Sequence, residues 1–293
     1  MTERMIKNFD LSQTASSGQC FRMLPATEPG VYTAASGCRF LKLAQIGQCF
    51  HFFCPDDDMP FWNNYFDLDT DYTAFIDSID PKDAYLLAAA EFGSGIRILR
   101  QDPWEMIITF IISQQKTIPA IRSLIETLCR RYGSPLAQEN QPESAGFFSF
   151  PSPEQLNLAS LDDLLELKLG YRAKYIKSIC TDACSGKLNL QYLHTLNHTE
   201  AMEYLMQFSG IGEKVASCIC LYGLHHISAF PVDTWIKKIL LREYAPGCRA
   251  AKKVPAARFY ETLVRECFSR YQGYAGVMQQ YMFFYERSRS SRK

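Results

Sequence analysis

The sequence predicts an α+β fold in which a small antiparallel sheet precedes a mostly helical remainder. Three observations support this prediction. Short apolar or alternating runs, separated by turn residues, occupy the part of the chain before about residue 60. From about residue 70 onward the apolar residues recur at helical spacing. A glycine-rich turn, Phe208-Ser-Gly-Ile-Gly-Glu-Lys214, then interrupts the helical part and is followed by Pro231-Val-Asp233.

The runs that predict the sheet are split by glycines and a Pro-Gly pair, which favour tight turns between neighbouring strands. They are Phe21-Arg-Met, Val31-Tyr-Thr, Phe40-Leu-Lys-Leu and Cys49-Phe-His-Phe-Phe. We therefore expect an N-terminal sheet domain over residues 1–95.

Helix starts follow from an aspartate N-cap before a proline, which favours the first helical position. Asp80-Pro81 predicts a helix through Ala90, and Asp102-Pro103 predicts one over 103–113. Apolar spacing predicts further helices at 117–132, 153–158, 161–168, 172–185, 199–207, 213–224, 234–243, 255–270 and 274–287. The proline-containing stretch 134–152 predicts a surface loop, and 287–293 a frayed end. A helical domain over 96–293 follows.

Charge distribution, hydropathy and cysteine content restrict the class of protein that this chain can be. The chain has 293 residues and zero formal net charge, but residues 201–293 carry +7, against −5 for 1–100 and −2 for 101–200. A basic C-terminal third fits a phosphate-binding face. No apolar run spans a bilayer and the start lacks an apolar signal core, which predicts a cytoplasmic protein without membrane contact. Eleven cysteines without framework spacing predict free thiols.

The glycine turn is the main candidate site. Gly210 and Gly212 can take positive φ and let a backbone approach closely. The free N–H groups of the helix that follows suit a phosphate. Lys214 lies in its first turn, where dipole and burial disfavour the ammonium and favour an amine nucleophile. An ordinary inter-helix turn with an exposed lysine is the alternative.

Two neighbours could assist Lys214. Asp233 precedes the run Trp235-Ile-Lys-Lys-Ile-Leu and is expected to cap that helix. A short return from the lysine helix would bring its carboxylate beside Lys214, where it could stabilise positive charge on a sugar carbon. Cys218 lies four residues after Lys214 on the same face, where a thiolate would perturb the lysine; plain packing is the alternative.

No metal site is predicted. His194 and His198 have the spacing of two ligands, but no third ligand accompanies them. The pairs Cys180/Cys184 and Cys218/Cys220 lack the Cys-x-x-Cys pattern, and neither an iron–sulfur pattern nor a nucleotide-binding fingerprint is present.

Seven short motifs, taken in order, resemble those of the helix-hairpin-helix DNA glycosylases, and most closely the 8-oxoguanine DNA glycosylase/AP lyases. They are Ser17-Gly-Gln-Cys-Phe-Arg22, Leu99-Arg-Gln-Asp-Pro103, Phe110-Ile-Ile-Ser-Gln-Gln115, Leu169-Gly-Tyr-Arg-Ala-Lys174, Gly210-Ile-Gly-Glu-Lys-Val-Ala-Ser-Cys218, Phe230-Pro-Val-Asp233 and Tyr274-Ala-Gly-Val-Met-Gln279. The resemblance covers most of the chain and implies a helix-hairpin-helix glycosylase domain after the sheet.

The resemblance implies a mechanism. Double-stranded DNA containing 8-oxoguanine would be the partner, and its damaged nucleotide would be flipped into a pocket. Lys214 would attack C1′, expel the base and form a Schiff base, with β-elimination to follow, while Asp233 stabilises the sugar cation. No cofactor is implied, apart from a monovalent cation beside the hairpin in many members. The protein is expected to be a monomer.

The resemblance also assigns roles in reading the lesion. The Gly18 carbonyl would accept the N7–H that distinguishes 8-oxoguanine from guanine, because guanine would leave that carbonyl unsatisfied. Gln279 would bond the Watson–Crick edge, Phe283 would stack on the base, and Cys218 would lie beside it. Without the resemblance, Phe283 is an ordinary core residue and Gly18 an ordinary turn residue.

Residues implied to contact the DNA are Gln115, Tyr171, Arg172, Gly210, Gly212 and Trp235. The first three would fill the emptied stack and contact the orphaned cytosine. Two positions depart from the animal members: Ala120 replaces an arginine that reads this cytosine, and Trp235 replaces a phosphate-contacting histidine. Both departures indicate a bacterial-type member, and Ala120 predicts relaxed opposite-base preference.

Two alternatives remain open. The first is a monofunctional alkylpurine glycosylase, a class that lacks the hairpin lysine. The second is a non-catalytic module that uses the hairpin only to bind phosphates.

Overall fold

The computed structural model describes residues 1–136 and 142–290, without the side chain of Pro142. Its N-terminal part contains a five-stranded sheet in the order β1-β5-β4-β3-β2, with antiparallel neighbours throughout. The strands are β1 (Thr2–Met5), β2 (Met23–Pro25), β3 (Val31–Ser36), β4 (Arg39–Ile46) and β5 (Cys49–Phe53). The predicted sheet is confirmed, but β1 was missed because its residues are polar and mostly exposed.

Helices make up most of the remaining described residues. They are α1 (Leu11–Ser16), α2 (Met59–Tyr65), α3 (Tyr72–Asp77), α4 (Ala84–Phe92), α5 (Pro103–Ser113), α6 (Ile118–Tyr132), α7 (Pro153–Asn157), α8 (Leu161–Glu166), α9 (Arg172–Cys184), α10 (Leu190–Leu193), α11 (His198–Leu205), α12 (Glu213–Tyr222), α13 (Thr234–Ile239), α14 (Phe259–Cys267) and α15 (Ala275–Ser290). The α+β class is therefore confirmed.

Some element boundaries differ from the prediction. Helix α4 begins after Asp83, whose side chain accepts a hydrogen bond from the N–H of Leu86, so Asp83 rather than Asp80 is its cap. Helix α13 passes into a π-helical turn over Leu240–Tyr244. Helix α15 continues to Ser290, beyond the expected fraying at 287. Parts of the predicted loop and tail, 137–141 and 291–293, lie outside the described residues.

Buried apolar residues form two clusters, one beneath the sheet and one among the helices. Helix α5 lies inside the larger cluster, and every residue from Pro103 to Ile112 is buried. It packs against α12, which carries Lys214. Helix α4 packs against α15, so helices on either side of residue 95 share one core, and a boundary at that residue remains a proposal. None of the helices in 1–136 and 142–290 has the length and apolar character needed to cross a bilayer.

Candidate active site

The glycine turn joins α11 to α12 as a helical hairpin. Gly210 has a φ of +88°, and a Cβ there would lie 2.5 Å from Cγ of Tyr175, so only glycine fits. Gln114 donates its Nε2–H to the carbonyl of Gly210 at 2.9 Å, which ties the end of α5 to the hairpin. Gly212, the N-cap of α12, does not use this freedom, since its φ is −93°. Its Cβ position faces open space, so a phosphate has room to approach it.

Lys214 is the second residue of α12, in the first turn as predicted. Its Nζ lies 5.2 Å from the centroid of the Phe110 ring, so the aromatic face holds the amine over α5. The amine also contacts the thiol of Cys218, one turn further along α12. Burial raises the pKa of that thiol, although the nearby lysine lowers it. Cys218 is therefore a neutral thiol at neutral pH, and the thiolate considered from the sequence does not form, because burial disfavours the charged state.

Asp233 is the N-cap of α13, as predicted, and its carboxylate accepts a hydrogen bond from the N–H of Ile236 at 2.8 Å. Burial raises the pKa of Asp233, although this hydrogen bond and the charge of Lys214 act in the opposite direction. The cap fixes the carboxylate, and the charge of Lys214 favours its ionised form.

Lys214 and Asp233 line one cavity of about 50 Å³. Its walls combine predicted residues from the N-terminal segment, α12 and α15 with three residues that the sequence analysis missed. The lining residues are Gly18, Phe110, Lys214, Cys218, Tyr222, Pro231, Asp233, Gln279 and Phe283. Tyr222 lies two turns after Lys214 on the same helix, a spacing that could have revealed it. Phe110 has apolar residues on both sides, Met106–Ile108 and Ile111–Ile112, and such a stretch carries no comparable signal.

Two of the lining residues favour a planar polar ligand. Gln279 is 3% exposed, and its Oε1 has no hydrogen-bond partner within the described residues. A buried acceptor left unpaired costs about 1–3 kcal/mol, which a donor on a ligand would recover. Phe283 closes the other side, with Cε1 3.1 Å from the position that a Cβ on Gly18 would take.

The residues expected to contact DNA lie outside this cavity. Gln115 follows α5 with a positive φ of 51° and an exposed side chain. Tyr171 is 45% exposed at the start of α9. Arg172 is only 5% exposed and donates to the carbonyls of Gln114 and Leu169. It thus holds the turn before Gln115.

Trp235 lies in the first turn of α13, where Nζ of Lys238 is 5.1 Å from the centroid of its ring. The ring offers a flat apolar face and Lys238 a positive charge beside it, and Trp235 lies outside the cavity lining. Ala120 lies half-buried near the start of α6.

Two other features fall outside the predicted site. His198, Cys220 and His226 bring one potential ligand atom each within 4.8 Å of one another, a cluster that linear spacing did not reveal. It has three donors among the described residues, whereas a closed structural zinc site uses four. A larger open cleft of about 810 Å³, lined by Asp80, Tyr244 and Arg270 among others, contains none of the predicted site residues.

Comparison with known proteins agrees with this architecture. Residues 3–107 match the N-terminal domain of 8-oxoguanine DNA glycosylase, and residues 108–263 match the HhH-GPD superfamily of base excision DNA repair proteins. The fold is that of the Clostridium acetobutylicum 8-oxoguanine glycosylase/lyase, solved with double-stranded DNA containing cytosine opposite 8-oxoguanine. The TM-score is 0.86 at 33% identity, over 98% of this chain and 94% of that one.

Curated relatives include the N-glycosylase/DNA lyase of Saccharomyces cerevisiae, 35% identical over 51% of this chain and 42% of that protein. Another is the probable N-glycosylase/DNA lyase of Methanothermobacter thermautotrophicus, 32% identical over 60% of each. The chain thus spans about half the length of the curated relatives that it matches.

The hairpin, the lysine in its second helix and the aspartate cap define a helix-hairpin-helix protein of the base excision type. The chain belongs to the HhH-GPD superfamily and, within it, to the 8-oxoguanine DNA glycosylase family.

Proposed function

We propose that this protein is a bifunctional DNA glycosylase/AP lyase that removes 8-oxoguanine from duplex DNA and then cleaves the strand. The observation that carries the proposal is the shared cavity. It joins an amine, a carboxylate and the unpaired Oε1 of buried Gln279. An amine nucleophile beside a carboxylate suits attack on an acetal carbon, and the buried acceptor suits a base edge.

The nucleophile is the amine nitrogen of Lys214. Its Nζ forms a bond to C1′ of the flipped nucleotide while the glycosidic C1′–N9 bond breaks. The bonding pair leaves with the base, which takes up the proton that the nitrogen sheds. The carboxylate of Asp233, fixed by its bond to Ile236, stabilises the positive charge that develops on the sugar.

Strand cleavage follows from the covalent product. The sugar ring opens when the nitrogen lone pair expels O4′, which takes a proton and leaves a Schiff base. This iminium makes the C2′ proton acidic, and its loss expels the 3′ phosphate by β-elimination. The carboxylate of Asp233 would also orient the amine, since both groups line the same cavity.

Base selection rests on Gly18, Gln279 and Phe283. The carbonyl of Gly18 accepts the N7–H of 8-oxoguanine, and Gln279 pairs with the Watson–Crick edge. Phe283 lies against Gly18, with its Cε1 3.1 Å from the position that a Cβ on Gly18 would take, and it would stack on the flipped base.

The duplex would lie across the exposed hairpin, with Tyr171 and Gln115 entering the gap that the flipped base leaves. A cofactor is not required for this chemistry. A monovalent cation at the hairpin carbonyls is part of the proposal, although the carbonyl of Gly210 already accepts a bond from Gln114. We propose that the protein acts as a monomer on DNA in the cytoplasm or nucleoid.

The test compares wild type with Lys214→Gln on duplexes that contain 8-oxoguanine, an alkylated purine or uracil. Wild type is expected to nick the first and to form a covalent adduct with it under borohydride. Lys214→Gln should lose nicking and trapping but retain duplex binding. The lysine is the nucleophile, whereas most of the binding to DNA phosphates comes from other groups.

The two alternatives predict other results. A monofunctional alkylpurine glycosylase would release the alkylated base without an adduct. A non-catalytic module would bind all three duplexes equally, and Lys214→Gln would change nothing.

A further inference from the structure

The segment around Gly18, residues 15–19, carries an unusual set of hydrogen bonds, in which four of its five carbonyls accept a side-chain donor from another element. The pairs are Arg122 to Ala15, Arg287 to Ser16, Gln280 to Ser17 and Gln101 to Gln19. The carbonyl of Gly18 accepts no hydrogen bond from the described residues. Gly18 itself lines the cavity. Among the five carbonyls, the one that the described residues leave unused thus belongs to a residue that lines the same cavity as Lys214.

The two bonds that flank Gly18 come from buried amides. Nε2 of Gln280 donates to the Ser17 carbonyl at 2.9 Å, and Nε2 of Gln101 donates to the Gln19 carbonyl at 2.9 Å. The peptide plane that contains the Gly18 carbonyl lies between these two held planes. Because glycine has a wide choice of φ and ψ, this plane would otherwise be free to rotate. The two amides therefore fix the direction of that carbonyl.

Both glutamines are tied to Tyr222, the last residue of the lysine helix, Gln280 through its side-chain amide and Gln101 through its backbone N–H. Its hydroxyl donates to Oε1 of Gln280 at 2.5 Å, and its carbonyl accepts the backbone N–H of Gln101 at 3.0 Å. The Tyr222 ring stacks on Phe110 with 5.5 Å between centroids, and Phe110 also lies under Lys214. Gln280 is 1% exposed, so its bonds do not compete with water.

We propose that Tyr222, Gln280 and Gln101 form a brace that sets the Gly18 carbonyl at a fixed position relative to Lys214. They are positioning residues for lesion selection, and the inference rests on the proposed function. A carbonyl that distinguishes N7–H from a lone pair must point at that atom, because a hydrogen bond weakens steeply with angle. The brace supplies this direction from the same helix that supplies the nucleophile.

The test separates base reading from lysine chemistry. Gln280→Met and Gln101→Met keep the length of the side chain but remove the donor. Single-turnover excision of 8-oxoguanine is measured beside cleavage of a pre-formed abasic site, which needs Lys214 but no base. We expect excision to fall about 10- to 100-fold, the usual result of a misplacement near 1 Å. Abasic-site cleavage should stay within about twofold.

Matched tyrosine variants keep the inference falsifiable if the glutamine variants fold poorly. Tyr222→Phe removes only the hydroxyl and should lower the ratio of excision to abasic-site cleavage. Tyr244→Phe is the control, since that hydroxyl bonds Asp83 and Met282, away from residues 15–19. Thermal unfolding of each variant reports on its fold.

The outcomes are distinct. A lower ratio in the Gln280, Gln101 and Tyr222 variants, with Tyr244→Phe unchanged, supports the brace. A ratio of excision to abasic-site cleavage that stays the same overturns the brace. This includes the case in which both activities fall by the same factor. Wild-type protein that cleaves neither substrate contradicts the proposed function and the brace together, whereas active wild type with unchanged ratios contradicts the brace alone.

Discussion

Lys214 and Asp233 line the same cavity, yet no ion pair joins them within the described residues. The amine rests on Phe110 and Cys218, and the carboxylate is held by the N–H of Ile236. Each group is therefore positioned by other partners rather than by its neighbour. A nucleophile and a charge-stabilising group that are not locked together are both available to a sugar placed between them.

Asp233→Asn is expected to separate catalysis from capping. Asparagine is as good an N-cap as aspartate, so the midpoint of thermal unfolding should stay the same or rise. Excision of 8-oxoguanine should fall about 100-fold, since the charge that stabilises the sugar cation is lost. Asp102→Asn is the matched control, because Asp102 caps α5 through the N–H of Glu105 at 2.8 Å and lies outside the cavity lining. Equal losses of excision in both variants would argue for a purely structural role.

The raised pKa of Asp233 predicts a pH-dependent stability. Because the Asp233 carboxyl is buried, the folded protein holds the proton of this carboxyl more tightly than the unfolded chain does. The aspartates of the unfolded chain titrate near 3.9. As the pH rises from about 3.9 through the raised pKa, wild type should lose stability relative to Asp233→Asn. Thermal unfolding of both proteins at about pH 4 and pH 7 measures the difference. A relative gain by wild type at the higher pH would show that Lys214 outweighs burial.

Gly18→Ala should abolish base excision. The φ of Gly18 is +85°, and a Cβ there would lie 2.7 Å from Nη1 of Arg287 and 3.1 Å from Phe283. Gly37→Ala is the control, because Gly37 has a φ of +55° but nothing within 4 Å of the new Cβ. Each variant should lose about 1 kcal/mol of unfolding free energy through left-handed strain. Only Gly18→Ala should lose excision, and equal activity in the two proteins would contradict the role of Gly18.

Ala120 predicts relaxed selectivity for the opposite base. Wild type should excise 8-oxoguanine opposite cytosine, adenine, guanine and thymine at rates within about tenfold of one another, since no side chain at this position reads the orphaned base. Ala120→Arg should raise the preference for cytosine by about tenfold, because one specific base contact is worth about 1–3 kcal/mol. Single-turnover rates on the four duplexes test this. A strong cytosine preference in wild type would show that another residue reads the orphaned base.

Local signals predicted much of the fold and of the site. Glycines between alternating runs were enough for β3, β4 and β5, and Asp102-Pro103 placed the start of α5. Motifs placed Lys214, Asp233, Gly18 and Gln279, which all line the cavity. Strand β1 and the helices α1, α2, α3 and α10 were missed, because short segments lack periodicity and gain their stability from what they pack against.

The sequence by itself determined the chemical groups of the site. These are a lysine in the first turn after a glycine hairpin and an aspartate at the start of the next helix. Both could be predicted because caps, turns and helical spacing are local properties. Only the tertiary structure decided what surrounds that chemistry. It placed Phe110 under the amine and kept the Cys218 thiol neutral. It also buried Arg172, grouped His198 with Cys220 and His226, and joined Tyr222 to Gln280. These relations depend on burial and on contacts between distant segments, which no local pattern encodes.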